Sequence, residues 1–355
     1  MDRETRAASR SNPESSQIGG FVEGVTGSDL YGWIINRTRP EALEEVHVHG
    51  AAGMLAFRSF YYRADVCRVI GVAGRSGFAL PLHLLRGLGT NLRITNRFGM
   101  PLDGGNIVLP PPVAEAAECT ADNAPAYIFL HMQKTGGTSI RDALAPRLPM
   151  SAQLYLYPRP EYLTPAELVS IPIIQRRAFR LIFTHSHIGV GRLLGREVRY
   201  LTILRDPIAR IESQYWHYRA TTGAHLKIEG RPIPLSVLVN EGIGEEFDNL
   251  QTRYMAGLDP SLVPFNALSK DALDLALYNA KKYFEIIGDF TKIDQVFGET
   301  CALLGLERSP LPRHNAANPA VVDRSDPDYC KINWQAVTRR HQLDIELYER
   351  LCLNQ

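Results

Sequence analysis

Several features that would settle the class of this chain at once are missing. Its 355 residues contain no uninterrupted apolar run near the roughly 18 residues that a membrane-spanning helix needs, so no bilayer span is expected. Cysteine is scarce: Cys67, Cys119, Cys301, Cys330 and Cys352 are the five present, and no two are spaced C-x-x-C. An odd, scattered set suits neither a zinc site nor a disulfide framework and fits free thiols in a reducing, cytoplasmic compartment. Charge of one sign is not in excess either, with 39 Lys+Arg against 38 Asp+Glu and a net +1. A nucleic-acid coat or a polybasic membrane binder needs a large cationic surplus, so both are excluded. Residues 1–17 carry three Arg and three acids and no apolar segment, which reads as a polar tail and not as a secretory leader.

What is present is an ordinary globular composition, 45% hydrophobic and 22% charged, over a length that suggests two domains at roughly 150 residues each. Residues 18–110 hold short alternating segments punctuated by glycine, such as Val46–His49, Gly77–Leu82 and Asn91–Thr95. Period-two alternation with a turn about every ten residues predicts a small all-β, sandwich-like domain. His47 and His49 share a face of the first of these segments; with no third ligand nearby they read as the solvent side of a half-buried strand. Pro110-Pro111-Pro112 and the small, polar residues after it resist regular structure, so 111–125 reads as a linker.

From 126 to 355 the texture changes to an α/β pattern. Tyr127–Leu130, Leu181–Phe183, Tyr200–Leu204 and Phe284–Ile287 are short apolar runs, as strands covered on both faces require. Helical patterns cover Ile208–Arg219, Asp271–Lys282, Ile293–Leu304 and Asn333–Leu351. The expected fold is a P-loop-type parallel sheet flanked by helices. Ligands of such sheets sit beyond the carboxyl ends of the strands, and four polar loops should meet there: His131–Ser139, Thr184–His187, Arg205–Pro207 and Gly288–Lys292.

The first loop has the chemistry of a phosphate cradle. Gly136-Gly137 lets backbone approach an anion, Thr138 and Ser139 open a helix whose N-terminus attracts negative charge, and Lys134 adds a cation. The Walker A order is absent, since the Lys precedes the glycines. In the third loop Asp206 suits an N-cap and Pro207 the first helical turn. Ile208, Ile211 and Tyr215 would then face inward, with Arg210, Ser213 and His217 on a polar stripe. Arg205 and Ser213 could grip a phosphate together, or Arg205 could pair with a neighbouring carboxylate. Nine Arg and three acids fall between Arg176 and Arg219, a local +6 from nine minus three that suits an anionic ligand.

Lys134-Thr135-Gly136-Gly137-Thr138-Ser139 after a strand resembles the 5′-phosphosulfate loop of the carbohydrate sulfotransferases. Arg205-Asp206-Pro207 with Ser213 resembles their 3′-phosphate motif, and a His-x-His element lies between the two as it does in them. By these motifs the chain resembles the heparan sulfate 2-O- and 6-O-sulfotransferases and their bacterial counterparts. Phe247–Tyr254 and Arg313-His314-Asn315 are weaker echoes. The resemblance spans about 125–320; residues 18–110 resemble, more softly, accessory β-domains of bacterial glycan enzymes.

The resemblance implies 3′-phosphoadenosine 5′-phosphosulfate (PAPS) as donor, no metal, and a hydroxyl of a glycan or glycolipid as acceptor. Lys134, Thr135, Gly136, Gly137, Thr138 and Ser139 would hold the phosphosulfate, Arg205 and Ser213 the 3′-phosphate. Lys134 suits the charge that develops on the leaving oxygen, and His187 suits the base. His185 and Asp142 compete for that second role. Tyr155, Tyr157 and Tyr162 are candidates for stacking on sugar rings, within segments 150–180 and 220–265 expected on the acceptor side. Two other readings stay open: an ATP-dependent P-loop kinase of a small molecule, and a glycan-binding protein with a degenerate transferase domain.

Overall fold

A computed structural model describes residues 14–71, 74–112, 124–311 and 322–353. The chain divides into two compact units. The first takes the chain up to Ala124 together with Pro149–Ala152 and Pro158–Phe179; the second takes Pro125–Leu148, Gln153–Tyr157 and everything from Arg180. The division is therefore not one cut through a linker. Most of the 111–125 segment lies outside the described residues, as do most of the 1–17 tail, Cys119 and Arg313-His314-Asn315.

In the first unit seven strands form one hydrogen-bonded sheet: β1 (Ile18–Thr26), β2 (Asp29–Asn36), β3 (Glu45–Gly50), β4 (Gly53–Arg58), β5 (Gly77–Pro81), β6 (Asn91–Asn96) and β7 (Pro101–Val108), in the order β4-β3-β6-β7-β1-β2-β5. Neighbours are antiparallel except β1 and β7, which touch in parallel register at Phe21 and Asp103. β1 and β7 meet at that one pair, so the strands fall into two halves, β4-β3-β6-β7 and β1-β2-β5, accompanied by two short helices, Ala64–Ile70 and Leu82–Arg86. Alternate residues from both halves, including Val46, Val48, Phe57, Ile94, Leu30, Ile34 and Leu80, share a single core. His47 and His49 alternate with that core and bond Glu45 and Thr95 at 3.1 and 3.0 Å. The late segments are tied in by buried polar groups. Asp29 accepts from the Ser151 amide at 3.0 Å and its hydroxyl at 2.5 Å, and the Gln175 amide pairs with the backbone of Arg58 at 2.9 and 3.0 Å.

The second unit is built on five parallel strands, β8 (Ala126–Leu130), β9 (Gln153–Leu156), β10 (Leu181–Thr184), β11 (Val198–Leu204) and, after a separate hairpin of β12 (His225–Ile228) and β13 (Arg231–Pro234), β14 (Phe284–Asp289). Their order is β14-β11-β8-β10-β9, with β8 in the centre. Burial on both faces explains the uniformly apolar β8 and β10, whose every residue is buried. The chain builds β9 and β10 on one side of β8, then crosses to β11 and β14 on the other. Such a crossover places a crevice at the carboxyl end of the central strand. Because all five strands run the same way, the loops after β8, β10, β11 and β14 leave along one edge.

Helix placement follows local signals. The helix Gly137–Leu144 buries Gly137, Ile140, Ala143 and Leu144 on one face. Pro207–Thr222 starts where Asp206 accepts from the Ala209 amide at 2.8 Å, with Pro207 in its first turn. The amphipathic pattern expected over Asn333–Leu351 is realised as Trp334–Arg340, Gln342–Tyr348 and a final wide turn Glu349–Leu353. It breaks at His341, whose amide is shared between the carbonyls of Val337 and Thr338 while its ring bonds the Val337 carbonyl. Among the described residues no helix is long and apolar enough to cross a membrane.

Candidate active site

The loop after β8 turns into the helix Gly137–Leu144 through two left-handed residues, Lys134 (φ 67°) and Gly136 (φ 87°). A Cβ at Gly136 would stand 2.6 Å from Ile293, and one at Gly137 would stand 2.3 Å from the His131 ring. Gly137 therefore requires glycine for space, and Gly136 for its left-handed backbone conformation. Thr135 is buried and its hydroxyl donates to the Met132 carbonyl at 3.0 Å. Thr138 and Ser139 occupy the first turn, half-buried, and the Ser139 amide donates to the Gly136 carbonyl at 3.1 Å.

Arg205, at the end of β11, reaches this loop. Its Nη1 donates to the Lys134 carbonyl at 3.0 Å, and its guanidinium lies 4.4 Å from the centre of the Phe290 ring, which follows β14. Its own backbone is gripped on both sides by Gln251, whose amide accepts from the Arg205 N–H and donates to its carbonyl, each at 2.9 Å. Burial, and secondarily the nearby positive Arg205, push the Lys134 ammonium below the ordinary lysine range. Burial likewise pulls Arg205 below the usual arginine value. Neither cation has a carboxylate within ion-pair distance among the described residues, so the alternative of an Arg205 salt bridge is not realised.

On the helix Pro207–Thr222, burial and then the charge of Lys134 push His217 below its ordinary value. Ser213 is four residues earlier on the same face, half-buried. Arg210 departs from the polar stripe expected of it. It is fully buried, and its Nη2 donates to the Glu246 carbonyl at 2.6 Å. Other arginines of the basic stretch are also spent elsewhere: Arg176 and Arg177 belong to the first unit, and Arg219 is paired with Asp326 at 2.7 Å. The local +6 is thus a property of the sequence more than of the rim.

His187, after β10, lies with its Nε2 2.6 Å from Glu245 and its Nδ1 3.8 Å from Asp259. Its ring sits on buried Tyr254, with centroids 4.7 Å apart, and the Tyr254 hydroxyl receives the Gln133 amide at 3.5 Å. Gln133 precedes Lys134, so Tyr254 joins the histidine loop to the phosphate loop. His185 belongs to a different cluster. Its Nδ1 is 2.5 Å from the His131 carbonyl, and its ring packs against His131 and Tyr157 at 4.6 and 4.5 Å between centroids. His131 is buried, bonds the Tyr157 hydroxyl at 2.9 Å, and is held far below the ordinary histidine value by that burial. Asp142 is exposed and faces Arg141 at 2.8 Å.

The tyrosines do not form a sugar platform. Tyr157 is core, Tyr155 donates to Gln153 at 2.6 Å on β9, and Tyr162 belongs to the first unit. Segment 220–265 does supply His187 with its neighbours. Glu245 and Asp259 carry no readable signal, since lone acids have no spacing that marks them, whereas Phe290 falls within the expected rim loop Gly288–Lys292. Phe247–Tyr254 was the one nearby hint, and it contains Gln251 and Tyr254. No group of three or more His, Cys, Asp or Glu side chains suited to a metal is found among the described residues.

No family model and no curated protein matches the chain. Among solved structures, a sulfotransferase from Alicyclobacillus acidocaldarius matches over 64% of this chain and 95% of its own, at 14% identity and a TM-score of 0.34. A superposition that loose carries no argument about activity, which rests on the residues of the site.

Proposed function

We propose that the second unit transfers a sulfuryl group from PAPS to a hydroxyl of a carbohydrate acceptor. One observation carries the reading: Lys134 and Arg205 are half-buried neighbours of like charge with no carboxylate within ion-pair distance among the described residues, beside the N-terminus of the helix Gly137–Leu144. Two cations held so are costly unless an anion completes the site, and a ligand with phosphate at both ends does so. In this reading Lys134 and residues 135–139 receive the phosphosulfate, and Arg205 with Ser213 the 3′-phosphate. His187 takes the proton of the attacking hydroxyl as its oxygen bonds sulfur. The bridging S–O bond breaks, its electrons go to the departing phosphate, and Lys134 neutralises them. His187 is favoured over His185, whose Nδ1 is engaged by the His131 carbonyl, and over Asp142, whose carboxylate faces Arg141. A glycan or glycolipid acceptor and a cytoplasmic setting belong to the same proposal.

The competing small-molecule kinase shares the cradle and is separated by ligand stabilisation. At a hundredfold excess over its dissociation constant, 3′-phosphoadenosine 5′-phosphate (PAP) should add about 2.7 kcal/mol, a rise of roughly 5–10 °C in melting temperature, in the presence of EDTA. Stabilisation by ATP only with magnesium, and none by PAP, would overturn the sulfotransferase reading in favour of the kinase.

A further inference from the structure

We infer that Glu245 is the positioning residue that selects which nitrogen of His187 receives the proton, and that this nitrogen is Nδ1. The inference rests on the reading of His187 as the base. His187 Nε2 and Glu245 Oε1 are 2.6 Å apart, close enough for an ion pair but not aligned as a hydrogen bond, and both atoms are sealed from solvent with no hydrogen-bond partner. A neutral imidazole carries one N–H, and a carboxylate can only accept. An unprotonated Nε2 would set its lone pair against that carboxylate oxygen at 2.6 Å, so the hydrogen belongs on Nε2 and the Nδ1 lone pair stays free. Nδ1 points toward Asp259, 3.8 Å away and half exposed, which marks the open side of the ring.

Glu245 is itself held firmly. It opens the short turn Glu245–Phe247, and the Asp248 amide donates to its carbonyl at 3.3 Å. The next residue, Glu246, is fixed twice from the helix Pro207–Thr222. Arg210 donates to its carbonyl at 2.6 Å, and the Tyr218 hydroxyl donates to its carboxylate at 2.8 Å. Beneath the ring, Tyr254 accepts the Ile188 amide at 3.0 Å, so the backbone next to His187 is anchored as well. The helix that begins at the Arg205 motif thus reaches the base through Arg210, Glu246 and Glu245. The proton balance follows. The acceptor O–H loses its hydrogen to Nδ1, the ring becomes an imidazolium, and Glu245 at Nε2 stabilises the positive charge while the phosphate leaves.

The test is the tautomer of His187 in the full chain, read by long-range 1H–15N correlation of 15N-histidine-labelled protein at alkaline pH. The His187 signals are identified by their loss in H187N. Wild type should show protonated Nε2 and unprotonated Nδ1; E245A should give mixed tautomers and a fall in kcat of about 10²–10⁴-fold. E245Q keeps the side chain's shape, but its amide can donate to Nε2 and favour the hydrogen on Nδ1, so its kcat should stay as low as that of E245A, with the donor KM unchanged in both. A wild-type His187 protonated on Nδ1, or an E245A spectrum identical to wild type, would overturn the inference even with H187A inactive. Full turnover by H187A would instead overturn the base assignment, whatever the tautomer.

Discussion

Replacing Arg205 by Ala removes two interactions of different kinds. The first is internal: the Nη1 bond to the Lys134 carbonyl at 3.0 Å, which props a left-handed residue in the phosphate loop. A neutral acceptor of that kind is worth about 0.5–1.5 kcal/mol net. The second is the charge-assisted contact with a 3′-phosphate, worth about 1.5–3 kcal/mol. PAP should lose both, about 2–4.5 kcal/mol, or roughly thirty- to two-thousandfold in affinity. Adenosine 5′-phosphosulfate has no 3′-phosphate and should lose only the first, about tenfold at most. Isothermal titration of wild type and R205A with the two ligands, in EDTA and at one ionic strength, gives the comparison. Equal losses for the two would refute the 3′-phosphate assignment and leave Arg205 as a strut of the loop.

Ser213→Ala should weaken PAP about tenfold in the same titration and leave adenosine 5′-phosphosulfate alone, since Ser213 makes no described contact with the loop. Lys134 is pushed down by burial and by Arg205, and only its protonated form attracts an anion. PAP affinity should therefore decline with rising pH earlier than an ordinary lysine would allow. In R205A the neighbouring positive charge is gone, and the decline should move to higher pH; dissociation constants measured across the alkaline range check both curves. Asp248→Asn should cost about 3–5 kcal/mol in denaturant unfolding, because it strands buried Arg253. Arg253 pairs with the Asp248 carboxylate and also holds the carbonyls of Leu258, Val263 and Pro264, so the loop bearing Asp259 should loosen with it.

The parts of the structure that could be read in advance are those written in local signals. Asp206-Pro207 starts a helix because cap and first turn are neighbours in sequence, and β8, β10 and β11 show as short apolar runs because both their faces are covered. β9 escaped notice. Its Gln153 and Tyr155 bond one another at 2.6 Å, which hides a strand behind polar residues. Arg210 was misplaced for a related reason: periodicity can set it on a stripe, but only the fold reveals the Glu246 carbonyl that lets a guanidinium be buried. The candidate site shows the same split. Lys134, Gly136, Gly137 and Arg205 sit in compact motifs at strand ends, whereas Glu245, Asp259 and Gln251 reach their partners across long stretches of chain.

Transfer of label from PAPS carrying ³⁵S in its sulfuryl group to a mixture of cell glycans tests the central claim most directly. Wild type should move label into the glycan fraction and release PAP, while H187A should transfer none and still be stabilised by PAP. Wild-type protein that binds PAP yet labels no glycan would contradict carbohydrate sulfation, and undiminished labelling by H187A would contradict the catalytic site described for it.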